Sequence, residues 1–366
     1  MAIMQIQVDN RWIGENHPTY FIADIAANHN GSLEHAKELI ELAKSSGADC
    51  AKFQHFRADK IVSDYGFRSI GSQKSHQAKW KKSVYQVYVE ASVPWEWTAI
   101  LANHARKVGI AFFSAPYDLE AVDMLDPYVP AYKIGSGDVT WPEILKKIAS
   151  KGKPVFLAVG ASNMGEVQEA VQSVISINPQ VVLMQCNTNY TGSSENFKYV
   201  SLNVLKSFRS MYPNLILGLS DHTSKHAAVL GAVALGARVI EKHFTDNRSQ
   251  EGPDHPFSMD PKDWREMVDR TRELESALGR YEKIVEENEK ETSILQRRCL
   301  RASKDLEAGK VLKSEDIDAL RPAVLGAFLP KDLPMLVGRR LSKSMVRGEE
   351  FSFNSITDSV IDAVKI

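Results

Sequence analysis

The sequence predicts a (β/α)8 barrel, the TIM-barrel class, followed by a small β-rich domain. Three observations carry that expectation. Short β-branched or aromatic runs alternate with helical patterns, which is the mark of βαβ units and a parallel sheet. The runs number eight over the first two-thirds of the chain, and no G-x-G-x-x-G fingerprint of a doubly wound sheet accompanies them. Beyond a charged stretch, the remaining residues repeat one phrase twice around a glycine, KDLEAGKVLKSEDI and KSMVRGEEFSFNSI, each read as strand, turn, strand.

In order, strands are expected at YFIADIA (20–26), CAKFQHF (50–56), IAFFSA (110–115), AYKIGS (131–136), PVFLAV (154–159), VVLMQC (181–186), LILGLS (215–220) and RVIEKHF (238–244). Amphipathic stretches such as LEHAKELIELAKSSGA, PWEWTAILANHARKVG and EVQEAVQSVISI lie between them, several ending at Gly as helices often do. Residues 59–88 are too long for an ordinary βα connection and are expected to form an irregular lid at the barrel mouth. PKDWREMVDRTRELESALG reads as the helix that closes the barrel, and RYEKIVEENEKETSILQRR as a solvated helical linker. The expected divisions are a barrel over 1–280, a linker over 281–298 and a terminal domain over 299–366.

With 366 residues there is enough chain for one large core and a small one, and 43% hydrophobic with 25% charged residues is ordinary globular composition. A formal net charge of -1 gives no bulk attraction to nucleic acid or anionic membrane, so a charged ligand must be held locally. The three cysteines, Cys50, Cys186 and Cys299, form no CxxC pair and read as small buried hydrophobes. No run of 18 apolar residues occurs and MAIMQIQVDNRWIGENHP has no apolar leader core, so a cytoplasmic location is the expectation.

In a barrel of this class the site forms at the C-terminal strand ends, which here carry many polar residues. They include Asp24, Asn28, Lys52, Gln54, Lys133, Ser136, Asp138, Gln185, Thr188, Tyr190, Ser220, Asp221, His222, Glu241, Lys242 and His243. His222 in GLSDHT and His243 in VIEKHFTD end neighbouring strands, so both imidazoles can enter one mouth and ligate a divalent ion such as manganese, iron, cobalt or zinc with positions open. Lys52, Lys133 and Lys242 also end strands, where an unpaired ammonium would cost several kcal/mol; ion pairs with Asp24, Asp138 or Glu241 could satisfy any one of them, and the three together call for an anionic ligand, phosphorylated or polycarboxylate. The turn Gly135, Ser136, Gly137 lets backbone amides approach such a ligand. A Schiff-base aldolase using Lys133 or Lys242 is a competing reading, and a non-catalytic sugar- or ice-binding protein a third.

IADIAANHNG, GADCAKFQ, YKIGSGD, GLSDHT, IEKHFT, GPDHPFSMD and a terminal LRP, in that order, resemble the sialic acid (N-acetylneuraminate) synthase family over about residues 18 to 355. The resemblance implies a TIM barrel with a C-terminal antifreeze-like (SAF) domain, in a domain-swapped homodimer whose small domains cap the partner's barrel. It implies metal-dependent condensation of phosphoenolpyruvate with the aldehyde of an N-acylated amino sugar, N-acetylmannosamine or a related diacetamido-hexose, giving a nonulosonic acid and phosphate. Lys52, Lys133, Ser136, Ser220 and Lys242 would hold phosphoenolpyruvate; His222 and His243 would bind manganese, magnesium or cobalt. Asp24, Asp138, Lys133 and Asp254 would be the catalytic set, with Asp254 orienting water. Asp24, Gln54, Thr188, Tyr190 and, from the partner chain, Arg321 would hold the sugar. The chain departs from the family's pattern where Asp24 and Asp138 replace glutamates, where Thr188 stands for an Asn, and where AVGASN, with Ala158, replaces a Ser-Thr-Gly-Met phrase. An altered acceptor pocket follows.

Overall fold

The computed structural model describes residues 4–71, 77–78 and 80–357. The chain divides into two compact units, Met1–Gly279 and Arg280–Ile366. In the first, an antiparallel hairpin of β1 (Gln5–Val8) and β2 (Arg11–Gly14) precedes a closed parallel barrel. Its strands are β3 (Tyr20–Asp24), β4 (Cys50–His55), β5 (Ala111–Pro116), β6 (Tyr132–Ile134), β7 (Val155–Ala158), β8 (Val181–Cys186), β9 (Ile216–Asp221) and β10 (Ala237–His243). Each pairs with its chain neighbour, and β10 closes on β3. The eight expected strands are these eight, with no end moved by more than two residues.

The strands read as nearly continuous apolar runs because both faces are covered, by helices outside and by packed side chains within. Helix boundaries follow local chemistry. Ser32 accepts the His35 N–H to begin Leu33–Ser45, and Asn163 with Glu166 forms a capping box before Met164–Ile175. Gly109, at φ +77°, ends Trp97–Val108 in a left-handed conformation. Pro261 opens the closing helix Pro261–Leu278, whose Trp264 and Met267 are fully buried.

The segment 59–88, expected to be irregular, is largely helical where it is described: Ala58–Ile61, Asp64–Ser69 and Val84–Ala91, the last two started by Ser63 and by a Ser83–Gln86 capping box. Those caps are readable in sequence as helix starts. Residues 72–76 and 79 of this segment lie outside the described part. Among the described residues no helix is long and apolar enough to cross a membrane.

In the second unit β11 (Cys299–Ala302) and β12 (Ile317–Leu320) form an antiparallel pair. The two similar phrases turn at Gly309 (φ +82°) and Gly348 (φ +85°) as expected. Their strands bridge to each other rather than folding back as two hairpins, with Leu306 and Met345 exchanging both backbone hydrogen bonds at 2.8 Å. Gly309 N–H donates to Leu341 and Gly348 N–H to Ala302, so the repeats are related as in a local two-fold. A repeat in sequence reveals similar pieces but not which edges pair. The 281–298 stretch belongs to this unit: it contains the helix Lys290–Gln296, and Ala323 N–H donates to the Ile294 carbonyl.

Candidate active site

At the C-terminal ends of the barrel strands lies a cavity of about 440 Å3. Parallel register sets its floor, because aligned residues on adjacent strands point the same way. One row runs His243, Asp24, Lys52, Phe113 across β10, β3, β4 and β5. Asp24, Lys52, Gln54, Lys133, Ser136, Asp138, Thr188, Tyr190, Ser220, His222, His243 and Asp254 all face this cavity.

The two imidazoles meet as expected, with ring centroids 5.5 Å apart. His222 Nδ1 lies 3.0 Å from the Asn187 carbonyl, so Nδ1–H donates there and Nε2 is the nitrogen left for a ligand; burial lowers the ring's pKa, but the neighbouring Cys186 outweighs it and the value is raised. Burial, then the neighbouring His222, hold His243 well below the ordinary histidine range, so it is neutral, and its buried Nδ1 has no hydrogen-bond partner. The Asp24 and Asp254 carboxylates stand 3.6 and 3.8 Å from its two nitrogens. Among the described residues no three His, Cys, Asp or Glu side chains converge as a ready metal cage. The donor set nonetheless fits a divalent ion held by two nitrogens with its other positions open. Charge agrees: the cavity is lined by four carboxylates, Asp24, Asp138, Glu241 and Asp254, against two ammonium groups, a formal excess of two negative charges.

The lysines follow the ion-pair alternative rather than waiting for a ligand. None is unpaired. Lys52 Nζ lies 2.6 Å from Asp24, and Lys133 Nζ 3.1 Å from Glu241. Burial lifts the Glu241 pKa, but Lys133 and Lys52 outweigh it and hold it below the usual range. Lys242 does not face the cavity at all. Side chains alternate along a strand, so with Glu241 and His243 turned inward Lys242 points away, to Asp221 at 2.5 Å. Its proposed contact with phosphoenolpyruvate is therefore withdrawn. Asn28 and Gln185 likewise turn to the scaffold, Asn28 donating to the Phe244 carbonyl and Gln185 to the Val200 carbonyl. Asp24, instead of reaching outward, receives Lys52, Gln54 and the Ala26 N–H.

Ser136 accepts the Gly160 N–H at 2.9 Å, which joins the Gly135–Gly137 turn to the loop after β7. Gly160 is required by close approach: a Cβ there would sit 2.0 Å from Thr188 Oγ1 and 3.0 Å from Cys186 Sγ. Ala158 is buried and does not line the cavity. Sequence reasoning underrated Cys186, which is buried but lines the site 3.9 Å from His222 Nδ1. It missed Phe257, whose ring packs edge-on to His243 at 4.8 Å, and Tyr117. Phe257 stands within GPDHPFSMD, so the motif was visible and the aromatic wall was not.

Burial is the main reason that Asp138 and Asp254 are raised to about 6, with Lys133 opposing at Asp138. For Asp138 the folded state thus binds a proton more tightly than the unfolded chain, and stability falls as pH rises from about 4 through 6. Asp138→Asn, which mimics the protonated acid, should stabilise the metal-free protein at pH 8 by on the order of 2 kcal/mol and at pH 4.5 by only about a third of that. Urea denaturation at both pH values reads this; equal effects at both would refute it.

A second chamber of about 680 Å3 continues from the first, sharing Trp80, Val87, Tyr190 and Pro253 and adding Pro256 and Phe257. Lys82 pairs with Glu90 at 2.6 Å and Lys81 lies 3.6 Å from Glu251 at its edge.

The NeuB family model matches residues 39–283 and the SAF domain model residues 297–355. This chain belongs to the NeuB family. Among its relatives is the N,N'-diacetyllegionaminic acid synthase of Campylobacter jejuni, 35% identical over 83% of this chain and 91% of the relative. Another is human N-acetylneuraminate-9-phosphate synthase, 34% identical over 74% of each chain. The crystal structure of N-acetylneuraminic acid synthetase from Leptospira borgpetersenii, in complex with citrate, superimposes with a TM-score of 0.70 at 27% identity, covering 79% of this chain and 95% of that one. Within this NeuB chain, Arg321 lies in the second unit, exposed at the end of β12 and joined to Pro322 by a cis peptide bond. Of the two lysines of the Schiff-base alternative, Lys242 is outside the cavity, while Lys133 lines it and is salt-bridged to Glu241.

Proposed function

We propose that this NeuB-family enzyme condenses phosphoenolpyruvate with the open-chain aldehyde of an unphosphorylated N-acylated amino sugar, a diacetamido-hexose, giving a nonulosonic acid and inorganic phosphate in the cytoplasm. The observation that carries the reading is the meeting of His222 and His243 above the Asp24, Lys52, Lys133 and Glu241 network in one cavity. The bond that forms joins C3 of the enolpyruvate to the aldehyde carbon; water adds at C2, and the C2–O bond to phosphate breaks. Lys52, Lys133, Ser136 and Ser220 would hold the carboxylate and phosphate, exchanging internal carboxylate contacts for charge-assisted bonds to the substrate. Asp138 and Asp254 would hold or release a proton at the carboxyl oxygens facing the reacting carbons. A divalent ion, manganese, magnesium or cobalt, held by His222 and His243, would polarise the aldehyde oxygen and acidify water.

Gln54, Thr188 and Tyr190, with Asp24 behind Gln54, would meet the sugar's polar atoms. The second chamber supports the acceptor class. Trp80, Val87, Pro256 and Phe257 offer apolar surface for an acyl methyl or a deoxygenated carbon, and the described lysines at its edge already have carboxylate partners. The diacetyllegionaminic acid synthase relative is in keeping with this. Phosphate release with phosphoenolpyruvate, across a panel of amino sugars with product mass, tests it. Turnover of a diacetamido-hexose above N-acetylmannosamine is expected; a preference for a 6-phosphorylated sugar would overturn the acceptor class, and no turnover of any aldehyde would overturn the reaction.

The enzyme would work as a homodimer in which Arg321 reaches the partner's acceptor site, a fixed guanidinium against an amide carbonyl. Mixing inactive His222→Ala and Arg321→Ala chains should restore activity, since mixed dimers hold one intact site. If native mass spectrometry shows mixed dimers and no activity returns, Arg321 has no such role.

A further inference from the structure

We infer that Asp221 and Lys242, which do not line the active-site cavity, are positioning residues that set the spacing and orientation of His222 and His243 from the far side of the barrel wall. The inference rests on the reading of those histidines as one paired site. Four bonds make the knot, two crossing from Lys242 to the segment after β9 and two within residues 221–223. Lys242 Nζ donates to Asp221 Oδ2 at 2.5 Å and to the Thr223 carbonyl at 2.6 Å. Asp221 Oδ1 accepts the Thr223 N–H at 3.0 Å, and Oδ2 accepts the Thr223 hydroxyl at 2.9 Å. Both charged side chains are about 2% exposed or less.

Place in the chain gives this knot its consequence. Asp221 and Thr223 are the two neighbours of His222, and Lys242 immediately precedes His243. The β9–β10 ladder ends at the Lys242–Asp221 pair, and the β8–β9 ladder ends one residue earlier, at Cys186–Ser220. His222 therefore lies beyond the last rung on both sides, where sheet hydrogen bonds no longer hold its backbone. The knot takes over there, fixing the residues before and after it. Because side chains alternate across a strand, a contact made behind the wall by residues 221 and 242 aims residues 222 and 243 into the cavity.

Stability alone does not account for the pair. A buried ion pair is often matched or bettered by apolar residues of the same volume, whereas a saturated hydrogen-bonded network is directional and stiff. Groups behind metal-binding histidines commonly change affinity or activity by about 10- to 100-fold when removed.

The test uses the full chain with Asp221→Asn and Lys242→Met combined, so that neither charge is left buried alone. Two readouts are taken: imidazole 1H–15N correlations of the metal-free protein, and Mn2+ affinity by calorimetry. With circular dichroism unchanged, the His222 and His243 signals should move or broaden while that of His104 stays, and Mn2+ affinity should fall about 10- to 100-fold. The KM for phosphoenolpyruvate should change far less than kcat. Wild-type imidazole signals and Mn2+ affinity in a folded double variant would overturn the inference, leaving the pair a purely structural tie. Should the double variant not fold, Thr223→Val, which deletes one bond of the knot, decides by the same spectra: displaced His222 signals support the assignment and unmoved ones end it. If wild-type protein takes up no Mn2+, the metal reading fails, and the imidazole spectra alone decide the positioning role.

Discussion

His222→Ala is expected to lower kcat about a thousandfold or more and to abolish tight Mn2+ binding, with the fold intact. The residue follows the last rung of β9, and although its ring packs edge-on to Tyr190 at 4.5 Å it borders the cavity rather than the barrel core. What is lost is one of two nitrogens, the one whose tautomer the Asn187 carbonyl sets. Lewis-acid stabilisation is worth several kcal/mol, and about 4 kcal/mol corresponds to three decades in rate. His243→Ala should behave alike, and wild-type enzyme treated with a chelator should lose activity and regain it with added Mn2+. Circular dichroism, calorimetry and phosphate release on the same preparations give the comparison. Chelator-sensitive turnover surviving in His222→Ala would sink the assignment.

Lys133→Met should impair both substrate affinity and stability, for separable reasons. Lys133 is buried, and its removal leaves Glu241 with the Ser220 hydroxyl at 3.0 Å and a distant Lys52 at 3.7 Å. Breaking a buried pair from one side costs about 3–5 kcal/mol because the other charge stays behind. Loss of a charge-assisted bond to the substrate should add about 1.5–3 kcal/mol to phosphoenolpyruvate binding, roughly a 10- to 150-fold rise in KM. Lys133→Met with Glu241→Gln should recover most of the stability and none of the affinity. A double variant that regains the wild-type KM would show that Lys133 serves only Glu241.

Much of the site could be read from residue order because a barrel brings strand ends together by rule. Once eight strands are counted, the strand ends that carry Asp24, Lys52, Lys133, Ser220, His222 and His243 come to one mouth, and these six side chains line it. Phe257, in the second chamber, and Tyr117, in the first, have no local mark, because nothing in sequence identifies an aromatic residue on a connection as part of a wall. Cys186 was taken for a packing residue because it ends an apolar strand, and it is buried, but at the edge of the cavity beside His222.

By itself, the sequence determined the barrel, through the alternation of apolar runs with amphipathic helices, and it determined which strands end in histidine, lysine and carboxylate. Only the tertiary structure decided the direction of each side chain and the partner of each charge. Lys242 and His243 are adjacent in sequence, yet one turns into the wall and the other into the cavity, because the pleat reverses direction at every residue. Which carboxylate neutralises Lys133, and that the terminal repeats pair with each other, likewise depend on contacts between residues far apart in the chain. Local propensity acts over a few neighbouring residues, whereas ion pairing and strand register are settled by which distant segments close packing brings within a few ångströms.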